Sequence, residues 1–249
     1  MDLFDLTGKV ALVTGGSRGL GREMVRAFAQ AGADVVITSR KMDACRRLAN
    51  EVEAKTGRQA MPFACHVGDW GQLDNLVDAA YDRFGKIDIL VNNAGMSPIY
   101  SNVAEVSEAL YDKVLAVNLK GPFRLTALVG TRMAVGDGGS IINISSFGAV
   151  RPIPNTIPYS AAKAGLNAMT EGFAHTFGPA VRVNCIMCGM FFTDISKAWD
   201  MAAFKKIAES FALRRGGEPH EIIGAALYFA SAASSFCTGA ILRLDGGVP

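Results

Sequence analysis

Tyr159 and Lys163 stand four residues apart, and the run that follows Pro158, through Ser160-Ala-Ala-Lys-Ala-Gly-Leu-Asn-Ala-Met, reads as a helix. Both side chains then fall on one helical face. An ammonium beside a phenol stabilises the phenolate and moves the phenol down from its ordinary pKa of about 10. A tyrosine tuned in this way gives a proton to a carbonyl oxygen or takes one from an alcohol. Ser146 ends an apolar run that begins Ile141-Ile-Asn-Ile-Ser and reads as a buried strand. A hydroxyl at the tip of that strand can hydrogen-bond the same substrate oxygen. Taken alone, the Tyr-x-x-x-Lys pair fits an exposed amphipathic face equally well.

A second stretch changes that balance. Lys9-Val-Ala-Leu-Val-Thr reads as a buried strand, Gly15-Gly-Ser-Arg-Gly19-Leu-Gly21 follows at once, and Arg22 to Ala31 has helical spacing. A glycine-rich turn between strand and helix lets the backbone approach a pyrophosphate, and the helix N-terminus supplies N–H groups and partial positive charge. The loop residues Gly15, Ser17, Arg18, Gly19, Leu20 and Gly21 are the candidate contacts. A tight turn without a ligand is the alternative. The next strand, Asp34 to Thr38, ends in Ser39-Arg40 with no acidic residue to bond ribose hydroxyls. Ser39 and Arg40, with Arg18 in reach, suit a 2′-phosphate, which predicts NADP(H) in preference to NAD(H). A solvated strand-end charge is the other reading of Arg40.

The remaining elements alternate. Helices are expected over 44–55 and 70–84, strands over 60–65 and 87–91. The fourth strand leads into Asn92-Asn-Ala-Gly95, a small polar turn that could lie under the adenosine half of a cofactor. A long helix over 105–133 is expected to kink near Gly121-Pro122. Asn118 lies within it, either as a surface residue or, if the kink frees a carbonyl, as a holder of water. A strand over 140–145, a helix over 159–177, a strand over 181–186, a helix over 218–232 and a strand over 240–244 complete the chain. Strands alternating with helices in this way predict a parallel sheet with helices on both faces.

Composition sets the bounds. The chain has 249 residues, half of them hydrophobic, 19% charged, and a net charge of +2. One α/β domain over 1–249 can bury a large core without disulfides, and no block of like charge predicts a nucleic-acid partner. Five scattered cysteines (Cys45, Cys65, Cys185, Cys188, Cys237) suit reduced thiols in the cytoplasm. The opening Met1 to Thr7 lacks the pattern of a signal peptide, and no run of apolar residues is long enough to span a membrane. Cys185-x-x-Cys188 could suggest a redox pair or a metal site. The histidines (His66, His175, His220) are scattered, however, and the motif opens no helix, so no metal is expected.

Taken in order, Thr14-Gly-x-x-x-Gly19-x-Gly21, Asn92-Asn-Ala-Gly95, Asn118, Ser146, Tyr159-x-x-x-Lys163 and Asp245-Gly-Gly resemble the short-chain dehydrogenase/reductase family over essentially the whole chain. The resemblance implies a Rossmann-type doubly wound domain with a seven-stranded parallel sheet. It implies Tyr159 as proton donor or acceptor and Ser146 as the residue holding the substrate oxygen. Lys163 would bind the nicotinamide ribose and lower the tyrosine pKa, and Asn118 would hold the water of a proton relay. Gly95, Ala94, Asn92, Gly189 and Thr193 would line the cofactor, with Thr193 at the carboxamide. Assembly as a homotetramer or homodimer through the helices at 105–133 and 159–177 is also implied. Two positions depart from the family pattern. His66-Val67 replaces an Asp-Val pair whose Asp bonds the adenine amine. Cys188-Gly189 replaces Pro-Gly, which predicts a looser loop after the sixth strand.

The substrate pocket is expected from 96–100, 147–158 and an irregular apolar region at about 187–213. These offer Met96, Ile99, Tyr100, Phe147, Ile153, Ile157, Met190, Phe191, Phe192, Trp199 and Phe204, with Arg151, Asp194 and Lys197 as the main charges. That composition favours a small apolar carbonyl compound or alcohol, interconverted by hydride transfer. A 3-oxoacyl-thioester reductase acting on a carrier protein is the first alternative, with Arg132, Lys205-Lys206 and Arg214-Arg215 as candidate basic contacts. A cofactor-binding regulatory protein without turnover is the alternative of another class, disfavoured by the intact Ser146, Tyr159, Lys163 and Asn118.

Overall fold

The computed structural model describes residues 3–194, 196 and 201–249. Seven strands form one parallel sheet: β1 (Val10–Thr14), β2 (Asp34–Ser39), β3 (Ala60–Ala64), β4 (Ile89–Asn92), β5 (Gly139–Ser146), β6 (Val181–Cys188) and β7 (Ile241–Leu244). Their spatial order is β3-β2-β1-β4-β5-β6-β7, and every neighbouring pair runs parallel. The chain moves outward from β1 to β3, then returns to place β4 on the other side of β1. The crevice between β1 and β4 is therefore the point where the winding reverses, the place where open α/β sheets bind ligands.

Among the described residues there are eight α-helices, which apart from α7 flank the sheet: α1 (Gly19–Gln30), α2 (Met42–Thr56), α3 (Trp70–Phe84), α4 (Glu108–Leu115), α5 (Gly121–Ala134), α6 (Ile157–Phe177), α7 (Met201–Ala208) and α8 (Ile223–Ala230). The strand period of two explains how one strand serves both layers. Ala11 and Val13 join Val25 and Phe28 of α1, Ile37 and Phe229 in one core. Val10 and Leu12 join Leu73 and Leu76 of α3, Leu90, Leu125 of α5 and Phe177 of α6 in the other. β3 closes the sheet at one edge, where Pro62 is tolerated because its missing N–H would otherwise face outward.

The helix expected over 105–133 is divided. A short 3₁₀ turn at Val103–Glu105 precedes α4, and a π-helical turn at Ala116–Lys120 separates α4 from α5. The break lies just before Gly121-Pro122. Pro122 sits in the first turn of α5, where its absent N–H costs nothing. A Cβ at Gly121 would lie 2.1 Å from the Val67 carbonyl, so glycine here lets the helix pack on the turn after β3.

The region after β6 forms a small satellite core. Phe204, Ala208 and Phe211 are buried, with Met190, Phe192 and Val248 packed against them, and Phe192 meets Phe204 edge to face at 5.2 Å. Phe191 belongs to the main core. The expectation that Phe191 and Phe204 line an open pocket is corrected, because these rings are occupied in packing. Ile195, Lys197 and Trp199 lie outside the described residues. The looser loop expected at Cys188 is also corrected. Cys188 is the last residue of β6, buried and paired with Ser146 on one side and Leu244 on the other.

Candidate active site

The site forms where β1, β4, β5 and α6 meet. Strand β5 delivers Ser146 at its carboxyl end, and α6 delivers Tyr159 and Lys163 from its first two turns. The Ser146 hydroxyl accepts the N–H of Gly148 at 3.1 Å and lies close enough to the Tyr159 phenol to oppose the rise of its pKa. Lys163 is buried, its Nζ lies 5.8 Å from the centroid of the Tyr159 ring, and it donates to the Ile144 carbonyl at 2.8 Å. A Cβ at Gly95 would meet Asn118 Oδ1 at 3.0 Å and Lys163 Nζ at 3.7 Å, which places all three side by side. The four residues expected to do chemistry are therefore brought together.

Burial pushes the Tyr159 phenol up to about 12, opposed by the Ser146 hydrogen bond and reinforced by Cys188. The same burial pulls the Lys163 ammonium down to about 8. The downward shift of the phenol expected from the spacing is thus corrected for the chain by itself, since desolvation outweighs the opposing effect of Ser146.

Asn118 sits in the π-helical turn, fully buried. Its Nδ2 donates to the carbonyls of Met96 and Val114, both at 2.9 Å, and its Oδ1 accepts the Met96 N–H at 3.2 Å. The extra residue of the turn lets this side chain staple the segment after β4 to the α4–α5 junction. A surface role is excluded.

The cofactor cradle is built by glycine. A Cβ at Gly21 would stand 2.4 Å from the Gly15 carbonyl oxygen, and one at Gly15 would stand 3.0 Å from Ala94 Cα. The N-terminus of α1 has no side-chain cap from Arg18, and an uncapped helix start of this kind suits an anion. Ser17 donates to Ser39 at 2.9 Å, tying the loop to the end of β2. Arg40 is exposed beside it, and α2 likewise starts without a side-chain cap. Gly19 approaches Thr193, whose Cβ lies 3.5 Å from the position of a Gly19 Cβ, and Arg18 pairs with Asp194 at 3.9 Å. Leu20 packs against the first core cluster, so its side chain anchors α1 while its backbone belongs to the loop. Gly189 is pinned against Asp245, where a Cβ would lie 2.5 Å from Asp245 Cα. This narrow cleft with uncapped helix ends fits a dinucleotide.

Three of the expected cofactor positions also make contacts within the protein. Asn92 is buried, and its Nδ2 donates to Thr126 and Asn143 at 3.0 and 2.9 Å, so its side chain braces β4 against β5 and α5. Val67 uses its carbonyl side to seat Gly121. The His66 imidazole accepts from Gly68. Sequence reasoning also left Thr14 and Asn93 out of the site. The Thr14 hydroxyl accepts the N–H groups of Asn93 and Ala94 at 2.9 and 3.0 Å, and Asn93 Nδ2 donates to the Thr14 carbonyl at 2.8 Å. These bonds lock the ends of β1 and β4 together. The signal was a small polar residue at each of two strand ends. Cys185 and Cys188 fall three positions apart on β6, hence on opposite faces, and both thiols are free. Among the described residues no three metal-binding side chains converge.

Comparison with known proteins agrees with this geometry. Residues 15–249 match the family model described as Enoyl-(Acyl carrier protein) reductase. Dehydrogenase/reductase SDR family member 4 of Sus scrofa is 36% identical over 245 residues, covering 97% of this chain and 88% of the relative. The 3-oxoacyl-[acyl-carrier-protein] reductase FabG of Thermotoga maritima is 34% identical over 244 residues, covering 98% of each chain. The crystal structure of an NADPH-dependent 3-quinuclidinone reductase from Rhodotorula rubra superposes with a TM-score of 0.93 at 28% identity, covering 99% of this chain and 93% of that one. The chain belongs to the short-chain dehydrogenase/reductase family of NAD(P)-dependent oxidoreductases.

Proposed function

We propose that this enzyme interconverts a ketone and a secondary alcohol on a small apolar substrate, with NADP(H) preferred over NAD(H). The observation that carries the reaction is the convergence of Ser146 and Tyr159 at the end of β5 and the start of α6, with Lys163 and Asn118 packed beside them. Ser146 holds the substrate oxygen and Tyr159 exchanges a proton with it. Lys163 supplies positive charge under the phenol and binds the nicotinamide ribose, and Asn118 holds the water of a proton relay. The bound nicotinamide supplies or accepts the hydride. The loop of Gly15, Ser17, Arg18, Gly19, Leu20 and Gly21 takes the pyrophosphate, with Ala94, Gly95, Gly189 and Thr193 along the rest of the cofactor.

The apolar preference is supported by exposed Ile99, Val150, Ile153 and Ile157 on the loops beside Tyr159. A groove of about 470 Å³ lined by Val103, Val106, Glu108, Tyr111, Ile157 and Pro158 extends this apolar surface. The NADP preference is supported by Ser39 and exposed Arg40 at the end of β2. The reductase from Rhodotorula rubra, which acts with NADPH on a ketone, supports the ketone and NADP readings by likeness. The Thermotoga maritima relative favours a second reading, reduction of a 3-oxoacyl thioester. In this chain Arg132 already pairs with Asp78 and Arg215 with Glu221, which weakens a basic docking face. We place the protein in the cytoplasm on its unpaired thiols. No helix among the described residues is long and apolar enough to cross a membrane. Exposed Trp70 and Phe123, stacked at 6.4 Å, support pairing into dimers or tetramers through the face of α5.

Fluorescence titration of NADPH and NADH at one salt concentration tests the cofactor reading. A preference for NADPH that collapses in Arg40→Ala supports it, and equal or tighter NADH binding overturns it. A panel of ketones and 3-oxoacyl thioesters with the preferred cofactor then separates the two substrate readings.

A further inference from the structure

His66 lies two residues past the end of β3. Ala64 pairs with Ser39 across the ladder, and the Cys65 N–H donates to the Ser39 carbonyl at 3.0 Å. The glycine loop, Ser39 and His66 thus occupy the carboxyl ends of three adjacent strands, β1, β2 and β3. A dinucleotide with its pyrophosphate at the α1 N-terminus and its adenosine ribose at Ser39 brings the adenine to the third of these, residues 65–67.

The ring of His66 is held in one orientation. Its Nδ1 accepts the Gly68 N–H at 3.2 Å. Its backbone N–H is taken by Gln72 Oε1 at 2.9 Å, and Gln72 Nε2 is in turn fixed on Asp69 Oδ2 at 2.9 Å. A Cβ at Gly68 would lie 3.0 Å from His66 Cε1, so the ring packs closely on the Gly68 backbone. A nitrogen that accepts from a backbone N–H presents a lone pair and carries no proton. The ring proton then sits on Nε2. An aspartate at this position is acceptor-only when ionised and pairs with an amine. His66 offers the opposite polarity at its outer edge.

We propose that His66 reads the purine through a hydrogen-bond donor, so that the 6-amine of adenine is not selected and a 6-oxopurine cofactor is accepted. This rests on the chain binding a nicotinamide dinucleotide at all. The test is a fluorescence titration of NADPH against reduced nicotinamide hypoxanthine dinucleotide phosphate, with the two unphosphorylated counterparts in parallel so that the 2′-phosphate plays no part. The quantity read is the ratio of Kd for the hypoxanthine form to Kd for the adenine form, in the wild type and in His66→Asp. Backbone contacts common to both proteins cancel in the comparison.

The wild-type ratio is expected near or below one, and His66→Asp is expected to raise it by roughly tenfold or more, the effect of exchanging one matched polar contact for a mismatched one. His66→Asn keeps an acceptor for Gly68 and a donor beside it, and is expected to retain the wild-type ratio. A wild-type ratio above about ten overturns the proposal whether or not the variants fold. A ratio that does not move in folded His66→Asp also overturns it, while leaving cofactor binding intact. Failure of the wild type to bind any of the four dinucleotides removes the cofactor reading and the proposal together.

Discussion

The hydroxyl of Tyr100 accepts the backbone N–H of Ile157 at 3.1 Å, at the first residue of the helix that carries Tyr159. The same hydroxyl donates to the Pro154 carbonyl at 2.8 Å, and the Tyr100 N–H donates to Asn155 at 3.4 Å. The segment after β4 is thus stitched to the segment that enters α6. Tyr100→Phe keeps the ring and removes both hydroxyl bonds. The expected loss is about 1–2 kcal/mol of stability, the worth of one or two exposed hydrogen bonds. Turnover should fall several-fold at unchanged cofactor affinity, because α6 loses its tether two residues before Tyr159. Steady-state kinetics beside a cofactor titration checks this, and an unchanged kcat removes the positioning role.

Lys163 carries a second prediction. Burial lowers its pKa from 10.5 to about 8, so the folded protein disfavours the charged form relative to the unfolded chain. The unfolded state binds more protons between those two values, and stability therefore rises with pH across that window. Below about 8 the full penalty is present. Lys163→Met should then raise Tm at neutral pH by removing a buried cation, a gain on the order of a few kcal/mol less the lost bond to Ile144. The gain should shrink as pH climbs toward the ordinary lysine value, and activity should be lost throughout. Thermal melts of both proteins at several pH values decide it, and a Tm difference independent of pH rules out the titration as its cause.

Gly21 sets two effects against each other. Alanine in a helix gains roughly 1 kcal/mol over glycine from backbone entropy. Here its Cβ would stand 2.4 Å from the Gly15 carbonyl and 2.6 Å from Asn93 Nδ2. The nearer obstacle is backbone, which cannot swing aside, so overpacking of about 1–3 kcal/mol outweighs the propensity gain. Gly21→Ala should lower the denaturation midpoint and weaken dinucleotide binding at least tenfold, since relief of the clash opens the loop at the pyrophosphate site. Urea melts and a cofactor titration test both halves. A more stable Gly21→Ala protein would show that the loop relaxes freely.

The alternation of strands and helices was legible because buried parallel strands such as Val10–Thr14 and Ile141–Ile144 are unbroken apolar runs between glycine turns. The positions of Ser146, Tyr159 and Lys163 were legible for the same local reason, one at a strand tip and two on a single helix face. Roles that depend on partners distant in sequence were not. Asn92 and Asn93 are identical neighbours, yet one turns into the core against Thr126 and Asn143 while the other binds Thr14, 79 residues away. Tyr100 looked like a pocket residue because its two backbone partners lie 54 and 57 residues on. Phe204 and Phe211 had the composition of a binding loop, but only folding shows that they pack on each other's neighbours in a satellite core. The π-helical turn at Ala116–Lys120 left no sign beyond the nearby Gly121-Pro122.

Tyr159 joins the fold to the reaction. Its phenol, pushed up to about 12 by burial, is protonated at neutral pH, the form that the proposed reaction needs to donate to a ketone oxygen. Reduction should accordingly be flat in pH through neutrality, whereas alcohol oxidation, which needs the phenolate, should keep climbing as pH rises through neutrality toward that raised value. Tyr159→Phe removes the phenol oxygen and leaves a ring of the same shape. Turnover should fall by about 10²–10⁴-fold, the range for a lost general acid. Cofactor affinity should stay within about twofold, because the loop at Gly15–Gly21 and the end of β2 are untouched. Initial rates in both directions across pH, with a parallel titration of the variant, make the measurement. A Tyr159→Phe enzyme that keeps its turnover would assign the proton to another group, and one that loses cofactor binding as well would make Tyr159 part of the cofactor's seat instead of the proton path alone.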